Sequence, residues 1–76
     1  MGRLPSVNGR TVIRALAKAG FAVDRIVGSH HILVSSSEPP RVLTVPVHGA
    51  RDLKPGTLRA IIRQAGLTIE AFTDLL

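Results

Sequence analysis

The sequence has no cysteine, tryptophan or tyrosine, two phenylalanines and five acidic side chains. Without cysteine there is no disulfide, no cysteine-held zinc and no thiol nucleophile. With Phe21 and Phe72 as the whole aromatic complement, bases cannot be held mainly by stacking, which argues against an RRM-like or OB-like reader. The acids Asp24, Glu38, Asp52, Glu70 and Asp74 are scattered over different segments. No two stand at a spacing that forces a carboxylate pair or a magnesium site, so a two-metal nuclease is not expected. No metal and no cofactor is expected either. No apolar run is long enough to span a membrane, and Arg3, Pro5, Asn8 and Arg10 interrupt any signal-peptide stretch. Met1-Gly2 with Ser6 fits a short acylation pattern, which we ascribe to chance. The expectation is a soluble cytoplasmic protein without a membrane partner.

What is present is aliphatic and basic. Hydrophobic residues make up 45% of the 76 positions, as in a compact domain rather than a disordered segment. The length fits a single domain over residues 1–76. So short a chain buries only about 60% of its unfolded surface. A site is therefore expected to be a shallow surface acting on something large, not a deep pocket around a cofactor. Ten basic residues against five acidic ones leave a net charge of +5. Eight of the ten are arginine, whose planar fork matches phosphate oxygens two at a time. The excess points to a nucleic acid or an acidic protein. Charge serving solubility alone is the competing reading.

Periodicity places the elements. Ser6 and Asn8 are N-cap types before Thr11–Ala19, where Val12, Leu16 and Ala19 recur at helical spacing with Ile13 and Ala17 beside them. Gly20 supplies a helix end. Arg10, Arg14 and Lys18 form a row four residues apart, either a solvated face or a phosphate rail, and we read it as a solvated face. Residues 21–27 (FAVDRIV), 30–35 (HHILVS) and 41–47 (RVLTVPV) read as strands. Gly28-Ser29 marks a tight two-residue hairpin turn between the first two. Pro39 and Pro40 break the chain before the third, and Pro46 marks its pairing limit. A second helix starts at Lys54-Pro55-Gly56-Thr57, buries Leu58, Ile61, Ile62 and Ala65, and stops at Gly66. A short terminal helix follows Thr68, with Glu70 in its first turn. Leu67, Phe72, Leu75 and Leu76 are placed to close the core. The result is an α+β fold, α-β-β-β-α plus a short helix. Its three-stranded antiparallel sheet is covered by helices on one face and open on the other.

The chemistry falls to histidine, the usual acid or base near neutral pH. His30 and His31 are adjacent on a strand and point to opposite faces, so they cannot hold one metal as a local pair. Alternation groups His30 with Ile32 and Val34, and His31 with Leu33 and Ser35, without saying which side is buried. A lone strand histidine is often no more than a hydrogen-bonded, partly buried side chain. His48 is a loop residue, open to an acid–base role or to a structural one.

Gly28-Ser29-His30-His31, followed by apolar residues, resembles the glycine-small-histidine motif of the HicA (YcfA-like) toxins. Ala19-Gly20-Phe21, Val45-Pro46-Val47-His48, Leu53-Lys54-Pro55-Gly56-Thr57-Leu58-Arg59 and Arg63-Gln64-Ala65-Gly66-Leu67-Thr68 with Phe72 resemble other family segments, in order and at matching spacings. The resemblance covers nearly the whole chain. It implies a double-stranded-RNA-binding-like fold and metal-independent endoribonuclease activity on mRNA. It also implies silencing by a HicB antitoxin in a hetero-oligomer. It places the catalytic histidine at His30 and carries no role to His31.

Ser29 can hold a phosphate oxygen or serve only the turn, and Lys54 stands before a helix N-terminus, where N–H groups attract phosphate and where helix capping by Thr57 is the competing role. Arg59 and Arg63 can meet RNA phosphates or an acidic antitoxin surface. Two other readings compete. A non-catalytic module could bind duplex RNA by shape and phosphate contacts, and an interaction protein could use the basic surface for an acidic partner alone.

Overall fold

The computed structural model describes residues 3–76, so the acylation pattern at Met1 and Gly2 lies outside the described residues. The elements run α1 (Gly9–Ala17), β1 (Phe21–Val27), β2 (His30–Ser35), β3 (Val42–Pro46), α2 (Pro55–Gln64) and α3 (Ile69–Thr73). The strands form one antiparallel sheet in the order β1-β2-β3. This is the α+β arrangement read from the sequence. No helix among the described residues is long and apolar enough to cross a membrane.

Local chemistry accounts for the element ends. Asn8 caps α1, its side-chain oxygen accepting from the Thr11 N–H at 2.9 Å. The helix thus begins two residues earlier than its periodic stretch and ends at Ala17. Its buried face is Val12, Ala15 and Leu16, while Ala17 and Ala19 are exposed. Val27 pairs with His30 across the two-residue turn, where Gly28 has φ +60° and, among the described residues, no non-glycine residue has positive φ. That combination is the signature of a type II′ hairpin turn. The third strand is shorter than its apolar run. Arg41 sits in the approach instead, its N–H donating to Ser35 Oγ at 2.7 Å. Thr68 caps α3 by accepting from the Ala71 N–H at 3.0 Å.

β1 departs from simple alternation. The register shifts between Val23 and Arg25, so Asp24 is an extra, bulged residue. Phe21 and Val23 face the helices. Beyond the bulge Arg25 moves to the open face, opposite Ile32, and Ile26 to the helix side, opposite His31. Asp24 and Arg25 pair at 2.9 Å.

The core lies between the sheet and the helices. Leu33, Leu43 and Val45 from the sheet meet Val12 and Leu16 of α1, Leu58, Ile61 and Ile62 of α2, and Phe72 of α3. Leu76 remains half exposed and does not close the core as expected. Gly9 sits where α1 crosses the end of β3. A Cβ there would fall against the Pro46 carbonyl oxygen and 2.9 Å from Val47 Cγ2. Because one of those neighbours is backbone, Gly9→Ala is expected to destabilise by about 1–3 kcal/mol. Each kcal/mol lowers the melting temperature of so small a domain by roughly 4–8 °C. An unchanged thermal melt followed by circular dichroism would show that α1 can lift away at no cost.

Candidate functional site

Four segments converge at one end of the molecule. The Val47 N–H donates to the Ser29 carbonyl at 2.7 Å, tying the end of β3 to the β1–β2 turn. Gly9, the first residue of α1, packs on Pro46 and Val47. Asn8 forms an isolated antiparallel bridge with Asp52, and the Leu53 N–H donates to the Val7 carbonyl at 2.9 Å. These bonds hold the segment before α1 against the segment before α2. The starts of both helices, the hairpin turn and the exit of β3 therefore share one edge.

The sheet decides which histidine faces which way. His31 pairs with Val45 and Ile26 and lies on the helix side with buried Leu33 and Ser35. His30 pairs with Val27 and Pro46 on the open side, and its side chain is exposed. The two imidazoles are thus separated by the sheet itself.

Beside Pro46, the cross-strand partner of His30, lies a cleft of about 320 Å³ lined by Pro46, His48, Arg51, Asp52, Leu53, Lys54 and Thr57. Lys54 is the N-cap residue of α2, and no side chain caps that end. Pro55 follows at the first helical position, so the first free N–H groups belong to Gly56 and Thr57. A lysine, an arginine and uncapped amides around one depression suit a phosphate or carboxylate. Asp52 is the single carboxylate on its wall. Sequence reasoning found Lys54 but missed Arg51. The signal was there: His48, Arg51 and Lys54 recur every three residues up to the helix start. Among the described residues, no three His, Asp or Glu side chains group as metal ligands.

Residues 9–67 match the family described as the HicA toxin of bacterial toxin–antitoxin systems. The chain belongs to the HicA toxin family. No curated protein matches it. Membership makes it the toxin half of a toxin–antitoxin pairing. The matched span of this HicA toxin holds the hairpin turn, all three histidines and both main helices. Of the residues singled out from sequence, His30, Ser29 and Lys54 lie at the convergent edge. Arg59 and Arg63 do not join them. They line a separate groove with Ile62, Leu67, Thr68 and Ile69, toward the far end of α2.

Proposed function

We propose that this HicA toxin is a metal-independent endoribonuclease, an mRNA interferase, in which His30 carries the proton transfer. The observation that supports this reading most is the placement of His30. It follows the Gly28-Ser29 turn, stands exposed on the open face, and has Pro46, a wall residue of the cationic cleft, as its cross-strand partner. A large substrate can reach it without any lid opening.

RNA brings its own nucleophile. The 2′-oxygen loses its proton and attacks the adjacent phosphorus while the bond to the 5′-oxygen breaks. That 5′-oxygen takes up a proton, leaving a 2′,3′-cyclic phosphate and a 5′-hydroxyl. His30 serves one of the two transfers, as the base at the 2′-oxygen or the acid at the 5′-oxygen, and water serves the other. Lys54 and Arg51 stabilise charge on the phosphate oxygens, and Ser29 offers a hydroxyl at the turn. Arg59 and Arg63 extend the phosphate contacts along α2 or meet the antitoxin. The protein acts in the cytoplasm, where mRNA is. An antitoxin of the HicB type silences it by covering the exposed edge with acidic side chains, which a +5 toxin attracts.

The test is chemical. A single-stranded RNA is incubated with the protein in EDTA, beside the same strand carrying 2′-O-methyl groups and beside its DNA counterpart. Cleavage of the RNA alone, with cyclic phosphate ends, is the expected result. Equal cleavage of the 2′-blocked strand would remove the proposed route. Salt-sensitive binding without cleavage would favour the non-catalytic duplex-binding module.

A further inference from the structure

A second basic cleft lies on the side of the sheet away from His30. It encloses about 200 Å³ between Arg10, Ile13 and Arg14 of α1 and His31 of β2. Its electrostatics are unfavourable as it stands. Arg10 and Arg14 are four residues apart on one helix face, where like charges repel. Arg10 occupies the first turn of α1, which contains no acidic residue and already presents the positive end of the helix dipole. No carboxylate answers these charges, since the one ion pair among the described residues joins Arg25 to Asp24. Arg14 donates only a long hydrogen bond, 3.4 Å, to Thr11 Oγ1.

His31 adds an independent observation. Its Nδ1 is shut away from solvent and has no hydrogen-bond partner among the described residues. Such buried orphan atoms are uncommon and mark strain or function. With Nδ1 closed off, the ring has only Nε2 to present to the cleft. Two guanidinium forks and one imidazole edge thus line a depression with room for several water molecules. All three can donate, and none has an internal acceptor of opposite charge. Departures from local electrostatic sense of this kind gather at functional sites.

We propose that the Arg10–Arg14–His31 cleft is a phosphate-binding subsite for the RNA strand cut at His30. The inference rests on the ribonuclease reading above. Both cationic clefts adjoin His30 through its immediate neighbours: His31, next in the chain, lines one together with the start of α1, and Pro46, its cross-strand partner, lines the other together with the start of α2. Phosphates repeat along a chain, so one strand can occupy both. With Phe21 buried and Phe72 inside the core, phosphate contacts must also supply the grip that stacked rings give other RNA binders.

The experiment measures binding apart from cleavage. His30→Ala provides a full-length chain for anisotropy titrations of a labelled single-stranded RNA across a range of KCl concentrations. Arg10→Gln with Arg14→Gln is added to that background; both side chains are exposed, so the fold is retained. The expected result is an affinity loss of at least about tenfold. The slope of log K against log salt should become shallower by about 0.7, the value for one phosphate of a single strand. Lys18→Gln removes a charge one turn further along, from a side chain that donates to the Leu75 carbonyl, and is expected to leave the slope unchanged.

Unchanged affinity and slope in the double variant, with RNA still bound by His30→Ala, overturns the subsite and leaves the ribonuclease reading intact. An equal loss from Lys18→Gln overturns it too, because net charge then explains the effect. Unaltered RNA binding with weakened antitoxin binding assigns the cleft to an acidic protein instead. Absence of RNA binding by the wild-type chain removes the ribonuclease reading and the subsite together.

Discussion

His30→Ala is expected to lower the rate of RNA cleavage by about 10²–10⁴-fold while leaving the fold intact. The magnitude is that of one positioned acid or base. It corresponds to roughly 3–5 kcal/mol of lost transition-state stabilisation. Retention of the fold follows from position. His30 is exposed on the open face at the first position of β2, outside the core, so truncation opens no cavity. Strand preferences span only about 1 kcal/mol, and a turn-adjacent position feels a fraction of that.

The expected kinetic signature is a fall in kcat with little change in KM, since proton transfer acts in the transition state rather than on bound RNA. His30→Gln sharpens the test. Glutamine keeps a hydrogen-bond donor and acceptor but cannot shuttle a proton. If His30 transfers a proton, the glutamine variant is as slow as the alanine one. If glutamine restores activity, His30 only hydrogen-bonds the substrate. Single-turnover cleavage in EDTA, with circular dichroism on each variant, separates these cases. Wild-type rates in His30→Ala would place the chemistry at another residue.

Much of this molecule was legible because period and punctuation agree. Leu58, Ile61, Ile62 and Ala65 recur at helical spacing, and all four are buried. Gly28-Ser29 between two β-rich runs forms the expected two-residue turn. The bulge at Asp24 was not legible, because no glycine or proline marks it and only pairing with β2 reveals the extra residue. The facing of β2 was not legible either. His30, Ile32 and Val34 are a more apolar set than His31, Leu33 and Ser35, yet Leu33 and Ser35 are the buried ones. The choice falls to long-range packing of Leu33 against the helices.

The candidate site divides along the same line. The Gly-Ser-His sequence points to His30 through resemblance and Lys54 through its helix start. Their shared edge depends on contacts no local pattern contains: Asn8 with Asp52, Val47 with Ser29, and Gly9 on Pro46. Arg59 and Arg63, named from sequence as contacts for RNA or for the antitoxin, are carried by the helix to another groove.

Phe72→Ala is the substitution expected to damage stability most. Phe72 is the largest of the fully buried side chains, with no exposed surface. It lies beyond the family-matched span, in α3, a helix of five residues. A helix so short has no independent stability; burial of Phe72 against α2 and the sheet holds it, aided by the Thr68 cap. Truncating a buried phenylalanine costs about 3–5 kcal/mol, against a total of roughly 5–15 kcal/mol for a folded domain. The melting temperature should fall by at least about 12 °C, whereas Phe72→Leu, which keeps most of the volume, should cost less than about 1.5 kcal/mol. Thermal and urea melts of the two variants check this. A Phe72→Ala melt within a few degrees of wild type would mean that α3 is an appendage, not part of the core. The consequence for activity differs in kind from that of His30→Ala. Phe72 is remote from the open face, so its loss lowers the folded fraction and leaves the rate per folded molecule unchanged. Cooling or a stabilising osmolyte should restore cleavage by Phe72→Ala and do nothing for His30→Ala.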